Sequence, residues 1–163
     1  MNAGGKGLQA FTLLELLAVI AVIMILATLV ISAAKVARDK ATRMRAKHDV
    51  DQLHQAWNQY MTDNKHAPAF VPPGGNFIMD SNVIALIRGY KGTGIEISSN
   101  ALYFCDPWGV RNTITGVYKV AIDENSDNKI HYGTNVLFLT VGVWSDGPDR
   151  ISFTKDDVTS WGK

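Results

Sequence analysis

Cysteine and net charge are both scarce in this sequence, and each scarcity excludes a class of protein. The 163 residues include one cysteine, Cys105, so neither an intrachain disulfide nor a cysteine-rich metal site can form. The formal charge is only +1, which argues against a generally basic nucleic-acid-binding protein. Catalytic patterns are lacking as well, because Ser145 is out of step with a nucleophile elbow and the four histidines, interpreted as surface residues, have no zinc-binding spacing. We therefore expect a protein that is not an enzyme.

The charges that are present are unevenly distributed along the chain. Residues 1–47 carry seven basic and two acidic side chains, whereas residues 48–163 carry nine basic and thirteen acidic ones. The two parts are therefore expected to face different surroundings. With 47% hydrophobic residues the chain can bury a core, and its length allows one ordinary domain plus an extension. The acidic balance of the second part predicts no nucleic-acid partner.

A long apolar run begins at Phe11 and ends at Ala34. Its 24 residues, FTLLELLAVIAVIMILATLVISAA, contain one charged side chain, Glu15. As an α-helix they would extend about 36 Å, slightly more than the roughly 30 Å hydrocarbon core of a bilayer. A signal anchor, or a signal peptide cleaved near residues 32–34, would also have this composition. Neither alternative has a use for Glu15, because a carboxylate inside hydrocarbon is costly without a partner.

A partner for Glu15 would arise if the chain were cut between Ala10 and Phe11. The new ammonium would lie one helical turn from Glu15, or beside the Glu15 of a neighbouring helix packed alongside. Charge pairing would then offset the cost of burial. We interpret Glu15 as a device that sets the register of assembling helices, since each added subunit would neutralise a charge left open by the previous one.

Residues 7–15, GLQAFTLLE, resemble the class III leader of type IV pilins and type II secretion pseudopilins. The resemblance implies that a prepilin peptidase cuts before Phe11 and methylates the new amine, and it places Glu15 at the fifth mature position. The sequence departs from the family at two positions, with Ala10 where glycine is usual and Ser32 where proline is usual. The positive-inside rule would place the basic residues after the span in the cytoplasm. We follow the family topology instead, with a cytoplasmic leader and an outward-facing domain.

The helix is predicted to continue beyond the apolar run, because residues 35–62 contain no glycine or proline. Apolar residues recur there at spacings of three and four, which predicts one buried stripe. We expect a single helix from about Phe11 to about Thr62, whose second half packs on the C-terminal domain. The basic residues between 35 and 47 are interpreted as a solvated face or as partners of acidic patches on neighbouring subunits. The stripe consists of Val50, Leu53, Trp57 and Tyr60.

The rest of the chain predicts a compact domain and an α+β fold class. Residues 81–88, SNVIALIR, are predicted to form a short helix with Ser81 as its cap. Three strand candidates, 102–104, 117–122 and 135–141, favour an antiparallel meander. The overall prediction is pilin-like, with a long N-terminal helix packed on a small antiparallel sheet. The predicted organisation is a leader (1–10), a transmembrane half-helix (11–34), an extramembrane half-helix (35–62) and a globular domain (63–163). Within the domain, turns are predicted at 106–109 and 123–128, and the second is expected to be an exposed hairpin turn.

Acidic residues are concentrated near the C-terminus. Four carboxylates within twelve residues would repel one another if the fold gathered them without a cation, and Ca²⁺ takes six to eight oxygen ligands. The pattern SxGxD…DDxxxW, formed by residues 145–161, resembles the C-terminal calcium loop of major pseudopilins. We expect Ca²⁺ with Asp149 and Asp156 as side-chain ligands, and with Ser145 and Asp157 as further candidates. The alternative is capping and surface charge.

The resemblance as a whole implies a major pseudopilin of type II secretion. Such a protein is a single-pass inner-membrane subunit whose partners are prepilin peptidase, an inner-membrane assembly platform, minor pseudopilins and further copies of itself. It is stacked into a periplasmic filament that helps to export folded proteins. The alternatives are a type IV pilus or DNA-uptake pilin, and a monomeric membrane-anchored binding domain that would have no use for Glu15.

Overall fold

The computed structural model describes residues 12–88, 102–110 and 113–162, and the expected cleavage site at Ala10 and Phe11 lies outside these ranges. The predicted α+β class is confirmed. The element order in the described residues is α1 (Leu13–Asn64), β1 (Asn76–Ile78), α2 (Ser81–Arg88), β2 (Lys119–Ile122), β3 (Ile130–Tyr132), β4 (Asn135–Leu137), β5 (Val141–Ser145) and β6 (Val158–Thr159).

Helix α1 ends at Asn64, two residues later than the sequence suggested. Lys65 adopts a left-handed conformation with φ of 62°, and its N–H donates to the carbonyl oxygen of Met61 at 2.9 Å. This conformation ends the helix in the way usual for a residue just after a helical C-terminus. The residue that ends the helix is therefore Lys65.

The chain divides into two compact units, and the boundary between Lys40 and Ala41 falls within α1. In the first unit, every side chain from Thr12 to Lys40 is exposed. Its most apolar stretch has a mean hydropathy of 3.0, so α1 is long and apolar enough to cross a membrane, as signal sequences near an N-terminus also are.

The core of the second unit includes one face of α1. The predicted stripe is confirmed, since its four residues are all buried, and Ala46 and Ala56 extend it. Trp57 is fully enclosed and meets the rings of Tyr60 and Phe77 edge to face, with centroids 5.6 and 5.4 Å apart. The apolar spacing of this half-helix therefore decided which face of it is buried.

A four-stranded antiparallel sheet packs on this core, with the strand order β1-β2-β5-β6. Strand β2 is central and pairs with β5 from Lys119↔Trp144 to Ile122↔Val141. Strands β3 and β4 form a separate two-stranded sheet. The chain thus leaves the main sheet after β2 and returns to it at β5.

Four strand and turn predictions are corrected, the first two of them by that excursion. The predicted strand 135–141 is two strands in two sheets, because the chain turns where the Leu139 N–H donates to the Leu137 carbonyl at 3.1 Å. Residues 123–128 are not a hairpin turn, since β2 does not pair with β3. The segment 102–104 contributes an isolated bridge from Tyr103 to Asp80, and the strand predicted over 117–122 begins at Lys119.

Helix α2 has the predicted bounds but a different cap. The carboxylate of Asp80, through Oδ1, accepts the N–H groups of Asn82 at 2.9 Å and of Val83 at 3.0 Å. Asp80 is therefore the N-cap, and Ser81 occupies the first helical position.

Candidate functional site

The start of α1 is organised by Thr12 and Glu15. The Thr12 N–H and hydroxyl donate to Glu15 Oε2 at 2.9 and 2.8 Å, and the Glu15 N–H donates to the Thr12 hydroxyl oxygen at 3.2 Å. This reciprocal pattern is a capping box. This capping box was not predicted from the sequence, although the spacing T-x-x-E before an apolar run is its signal. In the single chain, Glu15 therefore has a local hydrogen-bonding partner at an exposed helix end.

The second candidate site is the acidic loop, residues 146–157, which connects β5 to β6. Ligand oxygens of Asp149, Asp156 and Asp157 lie within 4.8 Å of one another. Asp149 is exposed, Asp156 is half-buried and Asp157 is buried. The structure thus brings together three of the four residues proposed as metal ligands.

Ser145, the fourth proposed ligand, is fully buried at the end of β5. Its hydroxyl donates to the Asp106 carboxylate and accepts the Gly147 N–H at 3.1 Å. Burial raises the pKa of Asp106, against the opposing effect of its hydrogen bonds from Ser145 and Trp108. The Ser145 hydroxyl therefore links the predicted turn at 106–109, which contains Asp106 and Trp108, to the beginning of the acidic loop.

The carboxylates of Asp149 and Asp156 are lightly bonded. Asp156 accepts the Thr154 hydroxyl at 2.5 Å with Oδ1 and the Asp149 N–H at 3.2 Å with Oδ2. The hydrogen bond from Thr154 lowers the pKa of Asp156, so this side chain is anionic near neutral pH. Asp149 accepts the Ile151 N–H at 2.8 Å with Oδ1.

Basic side chains attach the acidic loop to the rest of the domain. Arg150 donates to the Trp108 carbonyl at 2.7 Å, and Arg43 of α1 donates to the Asp156 carbonyl at 3.3 Å. Lys47 of α1 donates to the Thr159 carbonyl at 2.9 Å, just after the loop, and pairs with Asp51 at 2.7 Å. The basic run of α1 is therefore not only a solvated face, because Arg43 and Lys47 bond within their own chain.

Gly147 allows the two ends of the acidic loop to approach each other. It has φ of 70°, and a Cβ built there would lie 2.5 Å from the Asp156 carbonyl oxygen and 3.0 Å from its carboxylate. Any side chain at this position would displace Asp156. The loop is thus shaped to hold the Asp156 carboxylate close to the backbone of the opposite arm.

The acidic loop fits a calcium ion. Its donors are carboxylate oxygens, which are the ligands that Ca²⁺ prefers, and flexible loops also offer backbone carbonyls. Three carboxylates this close together repel one another, and a divalent cation relieves that repulsion. Asp149 and Asp156 fit best, because each has few hydrogen bonds and some exposure to solvent.

Known proteins are similar to this chain over almost its whole length. The chain is 29% identical over 154 residues to the type II secretion system core protein G of Escherichia coli (strain K12), a match that covers 94% of this chain and 91% of that protein. It is 27% identical to the core proteins G of Pectobacterium carotovorum subsp. carotovorum and Klebsiella michiganensis, over 94% of this chain and over 84% and 92% of theirs.

The chain is similar to the type II secretion core proteins G over almost its whole length. The resemblance to major pseudopilins that residues 7–15 and 145–161 indicated is thereby confirmed. The alignments cover almost the whole chain, so the relationship extends to the apolar helix and the folded domain alike. No family model and no solved structure matches the chain.

Proposed function

We propose that this protein is a structural subunit of a type II secretion pseudopilus, assembled from copies of the same chain. The observation that carries the proposal is the similarity over 94% of the chain to core proteins G, together with a membrane-length helix joined to a small α+β domain. The subunit's contribution is mechanical, since a filament grows by adding subunits. The export of folded proteins would depend on that growth.

Assembly would begin in the inner membrane. Prepilin peptidase would cut between Ala10 and Phe11 and methylate the new amine, leaving the N-terminus in the cytoplasm and residues 63–163 in the periplasm. The exposed apolar side chains of residues 13–34 need lipid or other helices around them, and a filament supplies the latter when the assembly platform extracts the subunit. Minor pseudopilins would be the other members of the filament.

Glu15 would guide this assembly by gaining a second partner in the filament. In the single chain its carboxylate accepts both hydrogen bonds from Thr12. In the filament it would also meet the ammonium of Phe11 on a neighbouring copy, which neutralises its charge as the helices exclude water. The charge pair favours one axial register, because a shift by one turn would leave both charges unpaired in an apolar bundle.

The filament experiment separates the charge of Glu15 from its role as a cap. We expect the mature protein to begin at Phe11, as measured by mass spectrometry, and Glu15→Ala to insert into the membrane but to lower the filament yield at least about tenfold, which corresponds to about 1.4 kcal/mol per added subunit. Glu15→Gln is the matched control, because glutamine also completes a capping box but carries no charge. We expect it to lose filaments as well. Retention of residues 1–10, or wild-type yield from the glutamine variant, would contradict the proposal.

We also propose that the acidic loop binds Ca²⁺ through Asp149 and Asp156. Asp149 and Asp156 lie on the two arms of the loop. When bound, the ion would supply positive charge between these arms and so stabilise the C-terminal part of the domain. The two carboxylates converge, and Gly147 keeps Asp156 close to the opposite arm.

Calorimetry on the full chain in detergent tests calcium binding directly. We expect heat on adding CaCl₂ to the wild type and at least about tenfold weaker binding by Asp149→Asn, because one anionic ligand is lost. Asp127→Asn is the control, since Asp127 lies in the separate loop between β2 and β3. No heat and no rise in melting temperature with the wild type would remove the calcium proposal and leave the filament proposal standing.

A further inference from the structure

Asp157 differs from the other two clustered carboxylates in how completely it is bonded. It is 3% exposed, and both of its oxygens accept hydrogen bonds from the chain. Oδ2 accepts the Tyr132 hydroxyl and the Phe153 N–H, the second at 2.8 Å. Oδ1 accepts the Thr154 N–H at 3.3 Å and lies 3.0 Å from the Thr154 hydroxyl, whose single proton is directed to the nearer Asp156 Oδ1. An ionised carboxylate has about four lone-pair sites, and the chain itself occupies three of those of Asp157.

The contrast with Asp149 assigns different roles. Asp149 is exposed and accepts one hydrogen bond, from Ile151, on one oxygen. A cation could bind the other oxygen of Asp149 without breaking a protein hydrogen bond. A cation at Asp157 would have to compete with three donors for a carboxylate that is 3% exposed, and displacing a buried donor is costly.

Tyr132 links Asp157 to a second part of the domain. Tyr132 ends β3, and its ring lies at the centre of an aromatic group, with centroids 4.9 Å from Phe153, 4.9 Å from Trp161 and 5.4 Å from Trp144. Phe153 also packs over the turn between β3 and β4, where a Cβ on Gly133 would lie 3.0 Å from its ring. The acidic loop therefore rests on the β3–β4 hairpin through the hydrogen bond from Tyr132 to Asp157 and an edge-to-face contact between the rings of Tyr132 and Phe153.

We propose that Asp157 is a positioning residue and not a calcium ligand: it fixes residues 153 and 154 and ties the acidic loop to Tyr132, so that Asp149 and Asp156 converge. Only the convergence of Asp149 and Asp156 on an ion rests on the proposed calcium binding. The fixing of residues 153 and 154 and the tie to Tyr132 do not. The structural role of Asp157 holds in the protein without calcium, since its three hydrogen bonds come from the chain itself.

The first test is the melting temperature of the full chain in detergent with a calcium chelator. Asp157→Asn places an amide donor against at least one donor whichever way it is turned, and we expect its melting temperature to fall by about 3–8 °C. Asp149→Asn removes a charge from the cluster and can keep its bond to Ile151, so its melting temperature should stay unchanged or rise. A chelated Asp157→Asn variant that melts with the wild type would overturn the proposal, and this test is valid even if the wild type binds no calcium.

The second test substitutes Tyr132, which bonds Asp157 but is not itself proposed to contact the ion. Tyr132→Phe removes the hydroxyl that bonds Asp157, and we expect about a three- to tenfold weaker affinity for Ca²⁺ by calorimetry. Tyr118→Phe is the matched control, because it loses a buried hydrogen bond to Asp49 at 2.9 Å on α1, and we expect its calcium affinity to be unchanged. Wild-type calcium affinity in Tyr132→Phe would overturn the positioning role. If Asp157→Asn does not fold, the comparison of Tyr132→Phe with Tyr118→Phe still tests the positioning role of Asp157.

Discussion

At the scale of the residue, burial separates aspartates that look equivalent in the sequence. Asp106, Asp146 and Asp157 are all about 95% or more enclosed. Each has a specific partner: Ser145 for Asp106, Lys119 at 2.6 Å for Asp146, and Tyr132 for Asp157. Asp149 remains exposed. A buried carboxylate must be paired or hydrogen-bonded, so the enclosed ones are committed to structure and the exposed one is available to a ligand.

His54 corrects the expectation that all the histidines lie on the surface. It is half-buried on α1, and its Nε2 lies 2.9 Å from the Asn58 side-chain nitrogen. Burial lowers the pKa of His54 below its ordinary value of 6.5, with the nearby Asp51 opposing this effect and Lys47 adding to it. The neutral imidazole is therefore the form that the folded protein favours.

This shift predicts a loss of stability in mild acid. The unfolded chain takes up a proton near pH 6.5, before the folded chain does, so the contribution of His54 is present above that pH and is lost as the pH falls through the lower folded-state pKa. We expect the melting temperature to fall between pH 7.5 and 5.5 by a larger amount in the wild type than in His54→Gln, measured by circular dichroism. Equal falls in the two proteins would show that His54 does not titrate with folding.

At the scale of the element, capping decides where both helices begin. Helix α1 begins after Thr12, with Glu15 completing the box, and α2 begins after Asp80. In each case an oxygen of a side chain satisfies N–H groups that have no partner inside the helix. The sequence contained both signals, but two candidate caps, Asp80 and Ser81, stood side by side before α2, and only the structure showed which one bonds.

The adjacent pair before α2 offers a matched test. We expect Asp80→Ala to lower the free energy of unfolding by about 1 kcal/mol, because the N–H groups of Asn82 and Val83 lose their acceptor. Ser81→Ala should change it by less than about 0.5 kcal/mol, since Ser81 is the first helical residue. Urea denaturation followed by circular dichroism measures both. A larger loss from the serine variant would mean that the cap is Ser81 after all.

At the scale of the whole molecule, the chain consists of two units with different requirements. The described hydrophobic core, from Ala46 to Val158, lies entirely within residues 41–163. The described side chains of residues 12–40 are all exposed. The second unit can therefore satisfy its apolar residues alone, whereas the first needs lipid or other helices.

This division predicts that the second unit folds by itself. A chain that begins at Ala41 should unfold cooperatively in water, with a melting temperature within about 5 °C of the full chain in detergent, because no buried core residue is removed. Circular dichroism and hydrogen exchange would measure this, with protection expected from about Ala46 onwards. A broad, non-cooperative transition would show that residues 12–40 contribute to the stability of the folded unit.

Local sequence was enough to predict the long helix, its apolar first half, the buried stripe around Leu53 and Trp57, and the bounds of α2. These features depend on local periodicity and composition, which neighbouring residues along the chain settle. Apolar spacing also gave the existence of strand β2, although not its exact start.

Three features emerge only in the folded chain: the splitting of residues 135–141 between two sheets, the strands β1, β3 and β6, and the different roles of the clustered aspartates. Each of these depends on residues far apart in sequence, such as Tyr132 with Asp157 or Ser145 with Asp106. An alternation of apolar and polar residues does not specify which strand will be its partner, and a carboxylate does not specify whether the fold will enclose it. Pairing and burial are properties of the assembled chain, which is why these roles became visible only in three dimensions.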